Sequence, residues 1–131
     1  MCGRTAPGAT PLAPAAPGEM RDPGQGGAVV EPGMGRHGRI DVAINNAGGA
    51  PPAEAATASA RFSQRIIELN LLAPLQIAQR ANHRMQAGDG GSMINIASVS
   101  GHRASPTAAP KGAAKPGLLH RPKGLARGGA A

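Results

Sequence analysis

Two lysines and an apolar run that ends in a serine are the residues of this chain whose types and spacing could do chemistry. Residues Ser92–Ser98 form a short apolar run after two glycines, typical of a buried parallel strand that delivers a polar group to a site. Lys111 and Lys115 follow, four residues apart on a segment of small residues that could be helical. Two cations on one helical face repel, which lowers the pKa of a lysine. Lys111 could therefore act as an acid, although a flexible amine has no fixed geometry.

The C-terminal part of the chain carries basic residues without acidic ones. The formal net charge is +7. From Ser92 onward there is no acidic residue, and the basic residues are Arg103, Lys111, Lys115, Arg121, Lys123 and Arg127. Such a segment could attract the phosphate of a cofactor or of nucleic acid, and the competing interpretation is a solvated basic tail. Because no aromatic residue lies among these charges, they form no stacking platform, and nucleic acid is not the expected partner.

A glycine pattern at residues 33–38 matches the G-x-G-x-x-G spacing of dinucleotide-binding loops. That loop must follow a strand and begin a helix, because the N–H groups at the helix N-terminus bind the pyrophosphate. Here the pattern follows a stretch rich in proline and glycine and precedes a predicted strand. In a chain with 20 glycines the match has little weight, and we expect no phosphate site there.

Length and composition allow one small domain. The 131 residues include 20 glycines and 13 prolines, close to the range of low-complexity disorder. With one phenylalanine, no tyrosine and no tryptophan, a core must be built from aliphatic residues. Cys2 is the only cysteine, so an intrachain disulfide and a cysteine zinc cluster are excluded, and no metal site is predicted. No apolar run approaches the ~18 residues of a membrane span and no secretory signal is evident, so we expect a soluble, cytoplasmic protein.

The order of the predicted elements defines the fold class. Residues 1–37 are predicted to be disordered, because they cannot bury enough apolar surface to offset the entropy of ordering. Residues 39–45 read as a strand, residues 61–86 as a long helix and residues 92–98 as a second strand. Strand, helix and strand form one βαβ unit with a parallel pair, which predicts an α/β fold.

The long helix contains a proline beside a polar residue in an apolar stretch. Between Ile66 and Ala78 the helix is apolar almost all round, which favours burial on two faces, against a sheet and a partner subunit. Pro74 has no N–H, so the carbonyl of Asn70 loses its helical partner and the helix should kink. Asn70 and this carbonyl could hold an ordered water, or Asn70 could be satisfied locally, and the sequence leaves both open.

At this point the chain resembles the short-chain dehydrogenase/reductase family, in its classical type. Gly38-Arg39-Ile40-Asp41 and the following Asn45-Asn46-Ala47-Gly48 look like the family's strand β4 and the turn after it. Asn70 falls where the family has an asparagine in helix α4, and residues 95–101 look like the end of strand β5 with its catalytic serine. Lys115 stands where the family's lysine is expected, and the resemblance covers roughly residues 38–126, leaving a disordered tail at 127–131. It implies a partial Rossmann-like, doubly wound unit with the β4–α4–β5–α5 portion only.

The resemblance implies NAD or NADP as cofactor and hydride transfer between a small-molecule carbonyl and an alcohol. The implied catalytic residues are Asn70, Ser98, Lys111 at the position of the family's tyrosine, and Lys115. The implied cofactor-binding residues are Asn46, Ala47, Gly48 and Lys115. In the family the tyrosine is the acid/base, and a phenol of pKa about 10 needs a nearby cation to work near neutrality.

Three departures from the family predict an inactive or impaired protein. Lys111 replaces the tyrosine, and there is no tyrosine in the chain. Pro116 and Pro122 lie in the helix that carries Lys115, and each interior proline costs about 3 kcal/mol, so we expect that helix to be broken or shortened. The glycine-rich loop of the family has no counterpart before residue 38, and the family's last strands are not represented, so the chain reads as a truncated, degenerate fragment.

Two other functions remain open at this stage. One is an interaction fragment that forms a homo- or hetero-oligomer through helix 61–86, because a lone fragment would expose the apolar run. The other is non-specific binding of nucleic acid by the acid-free basic segment.

Overall fold

The protein is described by a computed structural model, which describes residues 18–103 and 107–128. Two strands, β1 (Val42–Asn45) and β2 (Ser92–Asn95), pair in parallel, and the register joins Val42 to Ser92 and Asn45 to Asn95. Both strands are shorter than predicted. Pairing extends past them, because Ser92 N–H donates to the Asp41 carbonyl and Ile96 N–H donates to the Asn45 carbonyl. The parallel pair of an α/β fold is confirmed, and the carboxyl ends of the two strands are level.

The connection between the strands is one long helical segment with a change of helix type in it. It runs through α3 (Ala60–Ile67), a π-helical turn (Glu68–Leu72) and α4 (Ala73–Gln86). Pro74 is the second residue of α4, so the carbonyl of Asn70 lacks its usual N–H donor. The chain adapts by lengthening the turn, since the Ala73 N–H bonds to the Glu68 carbonyl, five residues back. The predicted interruption at the proline is therefore a π-helical turn.

The part of the predicted disordered segment that the structure describes is helical. Helices α1 (Pro23–Ala28) and α2 (Glu31–His37) precede the sheet, and α1 packs on α4. Val30 is buried against Ala81 and Met85 of α4. The burial of Val30 and the packing of α1 on α4 offset the entropy cost of ordering this segment, which its composition alone did not predict. Residues 1–17 lie outside the described residues.

The G-x-G-x-x-G pattern lies within α2 and at its C-terminal end. Gly38 ends the helix at φ 71° and its N–H bonds to the Met34 carbonyl. Glycine is favoured there because a left-handed conformation strains other residues. The last glycine of the pattern therefore caps the C-terminus of α2. Phosphate binds at helix N-termini, so this pattern does not form a phosphate site.

The helix that carries the two lysines is not broken. The backbone of α5 (Ala109–Gly128) is helical across both Pro116 and Pro122, so the predicted break is wrong. Ala114, Lys115 and Leu118 are buried, and α5 packs on α3 and on the π-helical turn. Tertiary packing of this face therefore outweighs the local cost of proline.

The small core lies on one side of the sheet and leaves the other side exposed. Ala43 and Met93 face the cluster formed by α4 and the chain before β1. The alternate residues Val42 and Ile44 of β1 and Ile94 of β2, with Ile96 just beyond it, are 52%, 61%, 46% and 43% exposed. We call these four residues the open sheet face. Within the described part of the chain, no helix combines the length and apolarity needed to cross a bilayer.

Candidate active site

A cleft of about 180 Å³ lies at the carboxyl ends of the two strands. Three segments meet there: the loop after β1, the segment after β2 and the first turns of α5. In parallel sheets this edge is where ligands bind, because side chains and free backbone groups leave the strands together. The cleft is lined by Asn46, Gly48, Gly49, Ile96, Ala97, Ser98, Lys111 and Lys115.

Asn70 fixes the loop after β1 from behind the cleft. Its side chain is fully buried, and its Nδ2 donates to the carbonyls of Gly49 (2.8 Å) and Ile66 (2.9 Å). Its Oδ1 accepts from the Gly49 N–H at 2.9 Å. These three bonds satisfy the side-chain amide within the protein, as the local alternative expects. The π-helical turn supplies Asn70 to this loop, as such turns commonly do at functional sites.

Gly48 leaves space that any side chain would fill. A Cβ at this position would lie 2.9 Å from Asn70 Oδ1 and 3.1 Å from Lys115 Nζ. Both distances are shorter than ordinary contacts of carbon with polar atoms. Glycine therefore allows the loop, the asparagine and the lysine to meet at one point.

A pair of asparagines anchors the strand ends beneath the cleft. Asn45 is buried, and its Nδ2 donates to Asn95 Oδ1 (2.9 Å) and to the Pro74 carbonyl (3.2 Å). These bonds connect both strands to the start of α4. They give the loops that leave the strands a rigid base.

Lys115 is a buried cation with one hydrogen-bond acceptor. The residue is 5% exposed, and its Nζ donates to the Ile96 carbonyl at 3.0 Å. Burial, and after it the charge of Lys111, lowers the pKa of Lys115 below its ordinary value. Packing removes Lys115 from solvent, which the sequence pattern did not indicate.

Ser98 is held by a neighbour that the sequence did not single out. Its Oγ accepts from the Ser100 Oγ at 2.9 Å and from the Ser100 N–H at 3.3 Å. Since both bonds use the lone pairs, the Ser98 hydroxyl hydrogen remains free to donate into the cleft. Lys111 lines the same cleft, and its ammonium has no hydrogen bond or ion pair with residues 18–103 and 107–118.

The structure brings most of the predicted site residues together. Asn46, Gly48, Ser98, Lys111 and Lys115 share the cleft, and Asn70 supports it from behind. Ala47 faces away, into hollows that it shares with Met20 and Leu69. Sequence reasoning missed Gly49, Ser100 and the Ile96 carbonyl, because two of them act through backbone groups and Ser100 acts through Ser98. Among the described residues, no cluster of His, Cys, Asp or Glu could hold a metal ion.

Comparison with known proteins identifies the class. A family model described as enoyl-(acyl carrier protein) reductase matches residues 5–130, a longer span than the 38–126 inferred from the motifs. The chain belongs to the short-chain dehydrogenase/reductase family, a family of oxidoreductases with a Rossmann-like α/β fold.

Curated relatives agree with this assignment. A 7α-hydroxysteroid dehydrogenase of Bacteroides fragilis is 31% identical over 96 residues, which are 71% of this chain and 37% of the relative. The 3-oxoacyl-[acyl-carrier-protein] reductase MabA of Mycobacterium tuberculosis is 32% identical over 90 residues, which are 69% of this chain and 36% of MabA. The chain thus spans less than half the length of these relatives.

Solved structures share the fold over most of the chain. A protein of Sinorhizobium meliloti assigned to the short-chain alcohol dehydrogenases superposes with a TM-score of 0.80 at 29% identity, over 86% of this chain and 45% of that chain. The structure titled ElxO with NADP bound gives a TM-score of 0.76 at 25% identity, over 86% of this chain and 46% of ElxO.

Proposed function

We propose that this chain forms the nicotinamide end of an NAD(P)-dependent oxidoreductase site for a small carbonyl or alcohol, and that hydride transfer there is impaired. In this proposal β1, the segment from α3 to α4, β2 and α5 correspond to the family's β4, α4, β5 and α5. The observation that carries it is the cleft at the strand ends, where Ser98, Lys111 and Lys115 meet the loop Asn46–Gly48.

The described residues fit the nicotinamide end of the cofactor but not its pyrophosphate. The cleft bordered by Asn46, Gly48 and the Lys115 side chain suits the close approach of a ribose and a nicotinamide ring. Within residues 18–103 and 107–128 no glycine-rich loop joins a strand to a helix, so the pyrophosphate has no cradle in the described part. When bound, the nicotinamide would supply or accept the hydride.

The residues of the cleft divide the remaining tasks among them. Asn46, Gly48 and Lys115 hold the cofactor, and the Ser98 hydroxyl donates a hydrogen bond to the substrate oxygen. Lys111 stands at the position of the proton donor. Its ammonium is a compact charge on a flexible chain and lacks the rigid geometry of a phenol, which is the reason for the impaired transfer.

Nucleotide titration and restoration of the tyrosine test this function together. The chain has no tryptophan or tyrosine, so NADPH and NADH fluorescence can be followed without protein emission. We expect the wild-type chain to bind a nucleotide and Lys115→Met to bind it at least about tenfold more weakly, through loss of the buried donor. We expect Lys111→Tyr to raise NADPH-dependent reduction of a small aldehyde by about 100-fold, the usual scale of general acid catalysis.

Lys123→Tyr is the matched control, because it places the same phenol elsewhere on α5. Equal activity of the two tyrosine variants would contradict the assignment of position 111. Absence of NADPH and NADH binding by the wild-type chain would contradict the proposed cofactor site.

The helix 61–86 gives less support to an interaction role than the sequence suggested. Five of its apolar residues, Ile66, Ala73, Ala78, Ala81 and Met85, are buried within the chain, and Leu72 is 43% exposed. The open sheet face has more exposed large apolar residues than helix 61–86. Among the described surfaces it is therefore the better candidate for contact with another protein.

A further inference from the structure

The side chains that line the cleft carry positive charge and no negative charge. Two of its eight lining residues are lysines, and none of the eight is acidic. Lys111 has no partner among residues whose side chains are described, so its ammonium is available to an anion. A ligand that carries a carboxylate would therefore be attracted to this cleft.

The second lysine has the properties of an amine nucleophile. Lys115 is 5% exposed, borders the cleft and has one acceptor, the Ile96 carbonyl. A neutral amine can donate that hydrogen bond and still direct its lone pair at a ligand. Burial and the charge of Lys111 lower the pKa of Lys115, which enlarges the neutral fraction near pH 7. Desolvation beside a second cation is a known way to activate a lysine toward carbonyl compounds.

We propose that the cleft binds a small oxo acid and that Lys115 forms an imine with its carbonyl carbon. Lys111 pairs with the carboxylate of the acid, and the Ser98 hydroxyl donates to its carbonyl oxygen. This reaction uses the same cleft as the proposed oxidoreductase function and does not depend on a nicotinamide cofactor.

The step is balanced without an added oxidant or reductant. The Lys115 Nζ lone pair attacks the carbonyl carbon and a C–N bond forms, while the carbonyl oxygen takes up a proton and becomes a hydroxyl. The nitrogen loses both of its protons, the C–O bond breaks as the hydroxyl takes up a second proton and leaves as water, and the C=N bond forms. One amine and one carbonyl group give one imine and one water.

Reductive trapping tests the proposal on the wild-type chain. The protein is incubated at pH 7 with pyruvate and cyanoborohydride, and the alkylated amines are located by peptide mass mapping. The chain has three lysines, Lys111, Lys115 and Lys123, which makes the mapping simple. We expect Lys115 to be labelled faster than Lys123, since the lowered pKa of Lys115 raises the neutral fraction of its amine. Equal labelling of Lys115 and Lys123 would overturn the proposal.

Acetone is the matched probe, because it offers the carbonyl without the carboxylate. We expect pyruvate to label Lys115 faster than acetone does, and Lys111→Gln to abolish this preference and to slow the labelling by pyruvate. If Lys111→Gln changes neither the preference for pyruvate over acetone nor the rate of labelling by pyruvate, Lys111 does not hold the carboxylate and the proposal fails. None of these trapping experiments contains NADPH or NADH. Their results therefore do not depend on the outcome of the nucleotide titration.

Discussion

Asn70 shows how one buried residue determines the geometry of the candidate site. It is a polar residue in a mostly apolar helical segment, and its amide connects the π-helical turn to the loop that carries Gly48 and Gly49. Gly48 in turn leaves the space in which the Asn70 amide and the Lys115 amine approach each other. The position of Lys115 in α5 therefore depends on the π-helical turn, which lies earlier in the chain and is separated from α5 by α4 and β2.

Replacement of Asn70 by alanine should destabilise the protein strongly. The change removes the partner of the partly buried Gly49 N–H and carbonyl and of the buried Ile66 carbonyl, and we expect a loss of about 2–3 kcal/mol in the free energy of unfolding. Urea unfolding followed by far-ultraviolet circular dichroism measures it. Gln79→Ala, at an exposed position of α4, is the control and should change stability by less than about 0.5 kcal/mol. A similar loss in both variants would show that Asn70 is not a structural anchor.

At the scale of elements, α5 is placed by glycines that permit close packing. A Cβ at Gly112 would lie 3.1 Å from the Ser100 carbonyl, and one at Gly117 would lie 2.5 Å from Leu71 Cδ1. Lys111 and Lys115 are on the same part of the helix, so this approach directs them into the cleft. The prolines are tolerated because the same helix buries Leu118.

Gly117→Ala should therefore be destabilising although alanine favours helix. We expect the free energy of unfolding to fall by about 1–3 kcal/mol as Leu71 is forced to repack. Gly33→Ala is the matched control in α2, where a built Cβ meets nothing within 4 Å, and it should stabilise by about 0.5–1 kcal/mol. Adding Leu71→Ala to Gly117→Ala should cost less than the sum of the single changes. Additive losses, or a gain for Gly117→Ala, would contradict the close packing.

For the whole molecule, the sheet is covered on one side. The cluster of Val30, Ala81 and Met85 lies on the covered side, and the four residues of the open sheet face lie on the other. A two-stranded sheet is short of strands for independent stability, so the helices that pack on its covered side contribute most of the apolar burial. The open sheet face is a continuous apolar surface rather than a set of scattered residues.

This surface should bind an apolar dye. We expect Nile red fluorescence to rise on addition of the wild-type chain, and the double variant Ile44→Thr, Ile94→Thr to lose most of that increase while β-branched side chains keep the strands. Val99→Thr is the control, because Val99 is 73% exposed but lies outside the sheet. If Val99→Thr reduces the fluorescence as much, the dye does not report the open sheet face.

The sequence alone determined the features that depend on local pattern. Apolar runs bounded by glycine predicted both strands and their parallel pairing, and the long apolar segment predicted the connecting helix, because these signals arise from neighbours in the chain. The motif residues Asn46, Gly48, Ser98 and Lys115 were found in the same way. The resemblance to the family was inferred from the spacing of these residues along the chain.

Only the tertiary structure decided which local signals prevail. Burial of Val30 against α4 orders a segment whose composition predicts disorder, and burial of Leu118 keeps α5 helical through its prolines. The lowered pKa of Lys115 also depends on the fold, since packing against residues distant in the chain removes this lysine from solvent. Each outcome rests on contacts between residues far apart in the chain, and no local pattern contains that information.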